Sequence, residues 1–201
     1  MIRIGLLGAD DAPELFEAIV RSRALHKPWM TPVATEAEIR EYLSQPPDVH
    51  ISYGIREDSG QLAGVVNINS IIHGAFQNGF LGYYAISPYD GHGFMRTGLI
   101  AVLDRAFSEH GLHRVEANIQ PDNVRSVRLV QSLDFRLEGH SPRYLRINGE
   151  WKNHDRYALT VEEWQVPGGR TTSASTPTRR PVRWSLAGGV ITAPCGLSAT
   201  R

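Results

Sequence analysis

The sequence predicts a mixed α/β domain over residues 1–165, with about seven strands and four helices. Short runs of alternating apolar residues predict the strands, and apolar residues at three- and four-residue steps predict the helices. In the second half of the chain the two patterns follow one another as strand–helix–strand units. The chain has 201 residues, of which 41% are hydrophobic, and this is enough to fill one good-sized core.

The first two elements are marked by their boundary residues. Alternation over residues 2–6 predicts a short strand. A helix is expected to begin near Pro13, because Asp10 or Asp11 is available to cap it and proline is favoured in a first turn. Its apolar spacing ends around residues 26–29.

A second helix and a meander of strands follow. Residues 35–38 (Thr-Glu-Ala-Glu) form a capping box, and the helix that it opens is stopped by Pro46. Two β-rich runs, 50–56 and 61–72, flank a turn and predict a hairpin. The next run, 80–86, predicts the central strand of the domain.

The central strand leads into the most informative stretch of the chain. Gly91-His92-Gly93, here called the glycine turn, lies between this strand and a helix that starts at Phe94. Glycines before a helix let the backbone approach a ligand, and the free N–H groups of the first turn favour an anion. The sequence therefore predicts a phosphate-type group over residues 91–95, with a tight loop that holds no ligand as the alternative. Arg96 replaces the third glycine of a dinucleotide fingerprint, and the turn is not a P-loop.

The last elements repeat the alternation of strand and helix. Residues 115–119 predict a strand, and residues 121–123 (Pro-Asp-Asn) open a helix. This helix is expected to bury Val127, Val130 and Leu133. Residues 135–144 and 155–160 predict a final hairpin-like pair that turns at Asn148-Gly149.

Residues 166–201 differ in composition from the domain and are expected to form a disordered basic tail. They contain five of the 21 Lys and Arg residues and no Asp or Glu, so the body keeps 16 basic against 21 acidic residues. Residues 182–186 are read as a short strand or an interaction motif, or as part of the disorder.

The bulk composition excludes several classes of protein. Equal numbers of basic and acidic residues, 21 of each, give no overall basic field for direct nucleic-acid binding. The apolar run at the N-terminus is too short for a signal peptide or a membrane span. With a single cysteine, Cys195, a cytoplasmic location is expected. The eight histidines show no ligand spacing, so we expect no metal site.

Several stretches together resemble the GNAT superfamily of acetyl-CoA-dependent N-acetyltransferases. Within it the chain is most similar to the RimJ/RimL type, which acetylates the N-terminal amine of ribosomal proteins. Besides the glycine turn, the matching stretches are residues 26–29, 64–69 with 82–83, 121–126 with 134–139, and 144–151 with 155–159. The resemblance covers residues 4–164 and implies the GNAT acyl-CoA N-acyltransferase fold, with acetyl-CoA as the acetyl donor and no metal.

The resemblance also assigns the cofactor-binding residues. They are expected to be Ala85, Ile86, Ser87, Asp90, Gly91, His92, Gly93, Phe94, Met95, Asn123 and Ser126. Two positions depart from the family pattern Gln/Arg-x-x-Gly-x-Gly/Ala, because Asp90 stands where Gln or Arg is usual and Met95 stands where a small residue is usual. A carboxylate beside a diphosphate repels it unless it points away.

Acetyl transfer requires a positioned thioester, a neutral amine and help for the leaving thiolate. The resemblance implies that Ser126 approaches the CoA sulfur, with Asn123 on the same side of the first helical turn. Backbone N–H groups from Tyr84 to Ser87 are expected to polarise the thioester carbonyl. Tyr144 is an alternative donor to the thiolate. The acceptor pocket is expected to include Trp29, Asn69, Tyr84 and Trp151.

A general base is not evident from the sequence. The resemblance implies a glutamate in the last hairpin, and this chain has Leu145 there. Glu116, His73 and Glu138 are candidates by residue type. An N-terminal amine has a pKa of about 8, so part of it is already neutral at pH 7 and a water relay is sufficient to remove its proton.

Three functions are compatible with the sequence. The first is acetylation of a protein N-terminus, by resemblance that of a ribosomal protein beginning with alanine or serine, by a monomer or homodimer. The second is acetylation of a small amine such as an antibiotic or a polyamine. The third is a GNAT fold that binds CoA or a protein partner without catalysis.

Overall fold

The structure, a computed structural model, describes residues 2–31 and 35–164. The predicted tail, including residues 182–186, lies outside the described residues. The strands are β1 (Ile2–Leu6), β2 (Ile51–Glu57), β3 (Leu62–Ile72), β4 (Asn78–Ala85), β5 (Arg114–Ile119), β6 (Arg136–Ile147) and β7 (Glu150–Thr160). The helices are α1 (Ala12–Arg21), α2 (Arg23–His26), α3 (Glu36–Leu43), α4 (Phe94–Ser108) and α5 (Val124–Gln131), and a 3₁₀ turn (Ala9–Asp11) precedes α1.

The seven strands form one mixed sheet in the order β1-β2-β3-β4-β5-β7-β6. All neighbouring strands are antiparallel except β4 and β5, which run parallel. This parallel pair is hydrogen bonded only where Asn78–Phe80 meets Arg114–Glu116. Beyond these residues no pairing joins β4 to β5, so the sheet opens at its centre.

Helices cover both faces of the sheet because its strands are apolar on both sides. Adjacent residues of β3 illustrate this: Val66 belongs to the core that contains Leu99 and Leu103 of α4, whereas Val65 belongs to the core that contains Leu15 of α1 and Ile39 of α3. Since successive strand residues point to opposite faces, the same alternation places the neighbouring residues of β4 on different sides of the sheet.

Helix α4 lies unusually close to the sheet. A Cβ atom on Gly98 would stand 2.1 Å from Cδ1 of Ile55 in β2, far inside van der Waals contact. A Cβ atom on Gly64 of β3 would likewise meet the Met95 sulfur of α4 at less than contact distance. The two glycines therefore allow α4 to pack at this distance, and Gly64 makes room for Met95 at a position where the family usually has a small residue.

The mixed α/β prediction and the count of seven strands are confirmed. The described residues contain five helices because the predicted first helix is divided at Ser22, whose backbone leaves the helical region with φ −99° and ψ 5°. Its hydroxyl donates to Ala18 O at 2.7 Å and accepts from the Ser87 amide at 3.0 Å. Such side-chain bonds to the backbone compete with helix continuation.

The capping predictions have mixed outcomes. Thr35 and Glu38 form the expected capping box of α3. Asp11 is the N-cap residue of α1, but its carboxylate accepts from the Gly8 amide at 2.8 Å and not from an amide of the helix.

None of the helices in the described part of the chain is long and apolar enough to cross a membrane.

Candidate active site

A cleft of about 590 Å³ passes through the opening between β4 and β5. Its walls include Leu81 to Ala85 of β4 and Ala117 to Ile119 of β5. On one side of the sheet, here called the α4–α5 side, it is bounded by the glycine turn and the starts of α4 and α5. On the opposite side, here called the α3 side, it is bounded by α2, α3 and polar residues of β3.

The glycine turn presents an open surface at the start of α4. Gly91 and Gly93 have φ values of +82° and +80°, in the left-handed region that favours glycine. Gly93 is the N-cap residue of α4, and no side chain caps the helix. A Cβ on Gly93 would meet nothing within 4 Å. The first amides of α4 are therefore uncovered donors at the positive end of a 15-residue helix, and they fit an anion such as a diphosphate.

Asp90, which departs from the family pattern, is partly balanced by a cation. Its Oδ2 lies 3.9 Å from Nη1 of Arg125, whose side chain is 76% exposed. Another nitrogen of the Arg125 guanidinium lies 3.9 Å from where a Cβ of Gly91 would be. Arg125 thus extends over the glycine turn from the first turn of α5, and Arg96 also lines the cleft.

The four amides predicted to polarise the thioester lie at the end of β4 and just after it, and they have different partners. The Ile86 amide donates to Ala63 O at 2.9 Å, and the Ser87 amide donates to the Ser22 hydroxyl. The antiparallel ladder turns the Tyr84 amide in the same direction as that of Ile86, toward β3. The amide of Ala85 points away from β3, toward the opening. Of the four predicted amides, the structure therefore leaves Ala85 facing the cleft.

Ser126 and Asn123 line the α4–α5 side of the cleft. Asn123 is the N-cap residue of α5, and its Oδ1 accepts from the Ser126 amide at 3.2 Å. The Ser126 hydroxyl lies 2.5 Å from the hydroxyl of Tyr83, a cleft residue that the sequence reasoning did not select. Strand alternation was the available signal, because it places Tyr83 and Tyr84 on opposite faces of β4.

The remaining predicted cofactor residues are distributed around the turn. Phe94 and Met95 line the cleft. His92 is exposed, with Nδ1 3.1 Å from Asp90 O and its ring stacked on Phe94. Ile86 is fully buried in the core on the α3 side. His92, Ile86 and Ser87 are not among the residues that line the cleft.

Three of the four predicted acceptor residues are brought together. Trp29, Asn69 and Tyr84 line the cleft, and Tyr84 packs against the core on the α3 side. Trp151 is 61% exposed and lines a separate, smaller depression beside Gln120. The structure therefore does not place Trp151 with the other three.

A chain of hydrogen bonds fixes the polar wall of the α3 side. The Tyr42 hydroxyl donates to Asn69 Oδ1 at 2.6 Å, and His50 Nδ1 lies 3.0 Å from the same oxygen. His50 Nε2 contacts the Ser52 hydroxyl, which donates to Asn67 Oδ1 at 2.7 Å. Burial raises the pKa of Tyr42 and lowers that of His50, so both groups are neutral near pH 7.

The ionisable residues of the cleft are divided between its two sides. Asp90, Arg96 and Arg125 lie beside the glycine turn, and Asp90 is the single carboxylate among the described residues that line the cleft. The α3 side has His26 and His154, and burial lowers the pKa of each imidazole. That side is therefore close to neutral at pH 7.

The residue types proposed as a base lie elsewhere. Glu116 and Glu138 are ion-paired with Arg114, at 3.2 and 2.5 Å respectively. His73 contacts Asp48 O at the surface. Leu145, at the position of the family's glutamate, is 43% exposed. Glu116, Glu138, His73 and Leu145 are not among the residues that line the cleft.

The open central sheet, the uncovered amides of the glycine turn and the through-sheet cleft define an acyl-CoA-binding fold. The acetyltransferase (GNAT) domain family matches residues 3–136, so the chain belongs to the GNAT acetyltransferases. It is an acetyl-CoA-dependent N-acetyltransferase of the GNAT type.

Relatives and solved structures agree with this membership. The [ribosomal protein uS5]-alanine N-acetyltransferase of Escherichia coli is 31% identical over 171 residues, covering 79% of this chain and 86% of that protein. RimJ of Mycobacterium smegmatis in complex with CoA-disulfide is 25% identical, with a TM-score of 0.70 over 82% of this chain and 84% of that one. Spermidine N-acetyltransferase of Vibrio cholerae, in complex with CoA and spermine, shares the fold at 18% identity, with a TM-score of 0.71 over 81% and 97% of the two chains.

Proposed function

We propose that this enzyme transfers the acetyl group of acetyl-CoA to the N-terminal α-amine of a protein, by similarity a ribosomal protein. The observation that carries the proposal is a single cleft that joins the uncovered amides of the glycine turn to an uncharged, amide-bearing wall on the α3 side. The first feature suits the donor substrate, and the second suits a peptide.

The donor is assigned to the α4–α5 side. The amides that follow Gly91 hold its diphosphate, and Arg125 adds a positive charge above them. From there the pantetheine arm follows the opening beside β4 toward Ser126. The Ala85 amide, which faces the cleft, donates to the thioester oxygen and stabilises the negative charge that develops there.

The reaction then consists of attack by the acceptor amine and departure of the CoA thiolate. The acceptor amine attacks the thioester carbon from the α3 side, and the carbon–sulfur bond breaks. The Ser126 hydroxyl donates a hydrogen bond to the departing thiolate, and the proton lost by the amine balances the proton gained by sulfur. No acidic side chain lines the α3 side in the described residues, and His26 already contacts Ala85 O through Nε2; we therefore assign the carrying of that proton to water.

The α3 side favours a peptide over a polycation. Asn67 and Gln120 line the cleft there, and although Asn67 Oδ1 and Gln120 Nε2 already have protein partners, Asn67 Nδ2 and Gln120 Oε1 remain to pair with the C=O and N–H groups of a peptide backbone. A polyamine or an aminoglycoside carries several positive charges, and burying these without carboxylate partners is costly. The described α3 side supplies no carboxylate.

A small-amine acceptor is the second candidate, favoured by the structural likeness to the spermidine acetyltransferase. The two are separated by release of free thiol from acetyl-CoA with a matched set of acceptors. We expect turnover with a peptide that begins with alanine or serine, and little with spermidine or with the same peptide blocked at its α-amine but retaining a lysine. Preferred turnover of spermidine would refute the proposal.

Binding of acetyl-CoA in the absence of an acceptor tests the third hypothesis, a GNAT fold without catalytic activity. Saturation at 100 times the dissociation constant stabilises a protein by about 2.7 kcal/mol, which a thermal shift detects. No stabilisation at millimolar acetyl-CoA would favour the non-enzyme, and stabilisation without turnover of any amine would favour a protein that binds CoA without catalysis. A cytoplasmic location and a monomeric or homodimeric state stay predictions.

A further inference from the structure

Tyr83 and Ser126 make the closest side-chain contact on the α4–α5 side of the cleft. Their hydroxyl oxygens are 2.5 Å apart, the Tyr83 hydroxyl also lies 3.4 Å from the backbone oxygen of Ser126, and both residues line the cleft. Tyr83 lies on β4 and Ser126 lies in the first turn of α5. The bond therefore joins two elements that approach from different parts of the chain.

Ser126 lies in the first turn of α5, where the residue four positions earlier precedes the helix, so the backbone contact made by serines at helix ends is not available to it. Ser108 turns its hydroxyl back to Asp104 O, and Ser44, at the C-terminus of α3, does the same to Arg40 O, both at 2.6 Å. This backbone contact is the ordinary choice of a helical serine. The Ser126 hydroxyl is instead paired with Tyr83.

We propose that Tyr83 is a positioning residue for Ser126: the tyrosine hydroxyl donates to Ser126 Oγ and leaves the serine proton free to point at the CoA sulfur. This inference rests on the proposed function, because it assigns the sulfur to the cleft beside Ser126. It adds a residue of β4 to the group that stabilises the leaving thiolate.

The reaction requires no proton from Tyr83. As the carbon–sulfur bond breaks, its electron pair goes to sulfur, and the proton lost by the acetylated amine restores the thiol. Tyr83 keeps its own proton because burial raises the pKa of the phenol. Its role is to fix the direction of one hydrogen bond that would otherwise rotate freely.

The test compares CoA with desulfo-CoA by calorimetry at about pH 9.5, where a substantial share of the CoA thiol is thiolate. Desulfo-CoA retains the diphosphate and pantetheine but has no sulfur. We expect the wild-type protein to prefer CoA by about tenfold, because hydrogen bonds to charged groups are stronger than neutral ones. Tyr83→Phe should remove most of this preference while leaving the affinity for desulfo-CoA unchanged.

Three further variants make the result decisive. Tyr53→Phe is the matched control, since it removes a hydroxyl that bonds His110 Nε2 at 2.7 Å away from the cleft, and it should keep the preference. Ser126→Ala should abolish the preference, and adding Tyr83→Phe to it should have no further effect. If Tyr83→Phe does not fold, Ser126→Ala still tests whether the sulfur lies beside this serine.

The possible failures are distinguishable. Equal weakening of both ligands by Tyr83→Phe would show a merely structural role and overturn the inference. A wild-type protein that binds both ligands equally would also overturn it, while leaving acetyl transfer intact. A wild-type protein that binds neither ligand would overturn the proposed function together with this inference.

Discussion

Replacing Asp90 should strengthen the binding of CoA. Asp90 lines the cleft next to Gly91, and its side chain is 35% exposed. Two unit charges about 6 Å apart repel by about 0.7 kcal/mol in water and by about 3 kcal/mol near a protein surface. With exposure and salt favouring the lower figure, Asp90→Asn should gain about 1 kcal/mol, or about fivefold in affinity.

The ion pair of Asp90 does not cancel this gain. Its partner, Arg125, stands 3.9 Å away and is 76% exposed, and exposed pairs of this kind contribute about 0–1 kcal/mol. Once the carboxylate is removed, the guanidinium stays over the glycine turn and is free to meet the diphosphate. We therefore also expect Arg125→Gln to weaken CoA binding, by about threefold to fivefold.

The assay is calorimetric titration with CoA at low and high salt, with pantetheine as a ligand that lacks the diphosphate. Asp48→Asn is the matched control, because it removes the same charge near His73, at the opposite end of β3. The gain from Asp90→Asn should shrink at high salt. Weaker CoA binding, or an equal gain for pantetheine, would refute the electrostatic reasoning.

Three further outcomes are expected. Gly98→Ala should lower the free energy of unfolding, measured in urea, because the new Cβ would stand 2.1 Å from Cδ1 of the fully buried Ile55. Overpacking of this kind costs about 1–3 kcal/mol, and the higher helix propensity of alanine offsets up to about 1 kcal/mol of that cost. Hydrogen bonds from Arg114 and Arg136 lower the pKa of Glu138 from 4.5 to about 2, so the unfolded chain binds a proton at this residue first as the pH falls. The stability that these bonds contribute is therefore present above pH 4.5 and is lost toward pH 2. Glu138→Gln should make the urea concentration at the unfolding midpoint less dependent on pH over that range. Trp29→Ala should raise the KM for the acceptor peptide, whereas Trp151→Ala should leave it nearly unchanged; the reverse order would place the acceptor in the smaller depression.

Local signals in the sequence predict the elements of this fold well. The capping box at Thr35, the glycine turn and the N-cap at Asn123 depend on residues close together in the chain, and each is present. Asp134 has a positive φ of 63°, a conformation that aspartate tolerates better than most residues other than glycine.

Relations between distant segments were not predictable in the same way. The division at Ser22 involves a bond to the Ser87 amide, 65 residues away. The pairing of Tyr83 with Ser126 spans 43 residues, and it depends on where α5 meets the opened sheet. Trp151 falls outside the cleft, a position set by the final hairpin and not by the residue type. Hydrophobic periodicity fixes which face a residue takes, but not which neighbour it meets there.

The uncharged α3 side also bears on the choice between amines. At pH 7 about a tenth of an α-amine with pKa 8 is neutral, against about one part in 2,500 for a lysine amine with pKa 10.4. A site without a carboxylate base therefore favours the α-amine by about 250-fold before any contact is made. The rate of peptide acetylation at low substrate should rise with pH, be half-maximal near pH 8 and level off above about pH 9, as the acceptor amine titrates. His26 and His154, whose pKa values burial lowers, would instead give a plateau below pH 7, and that profile would identify a histidine base and remove this ground for preferring an N-terminal acceptor.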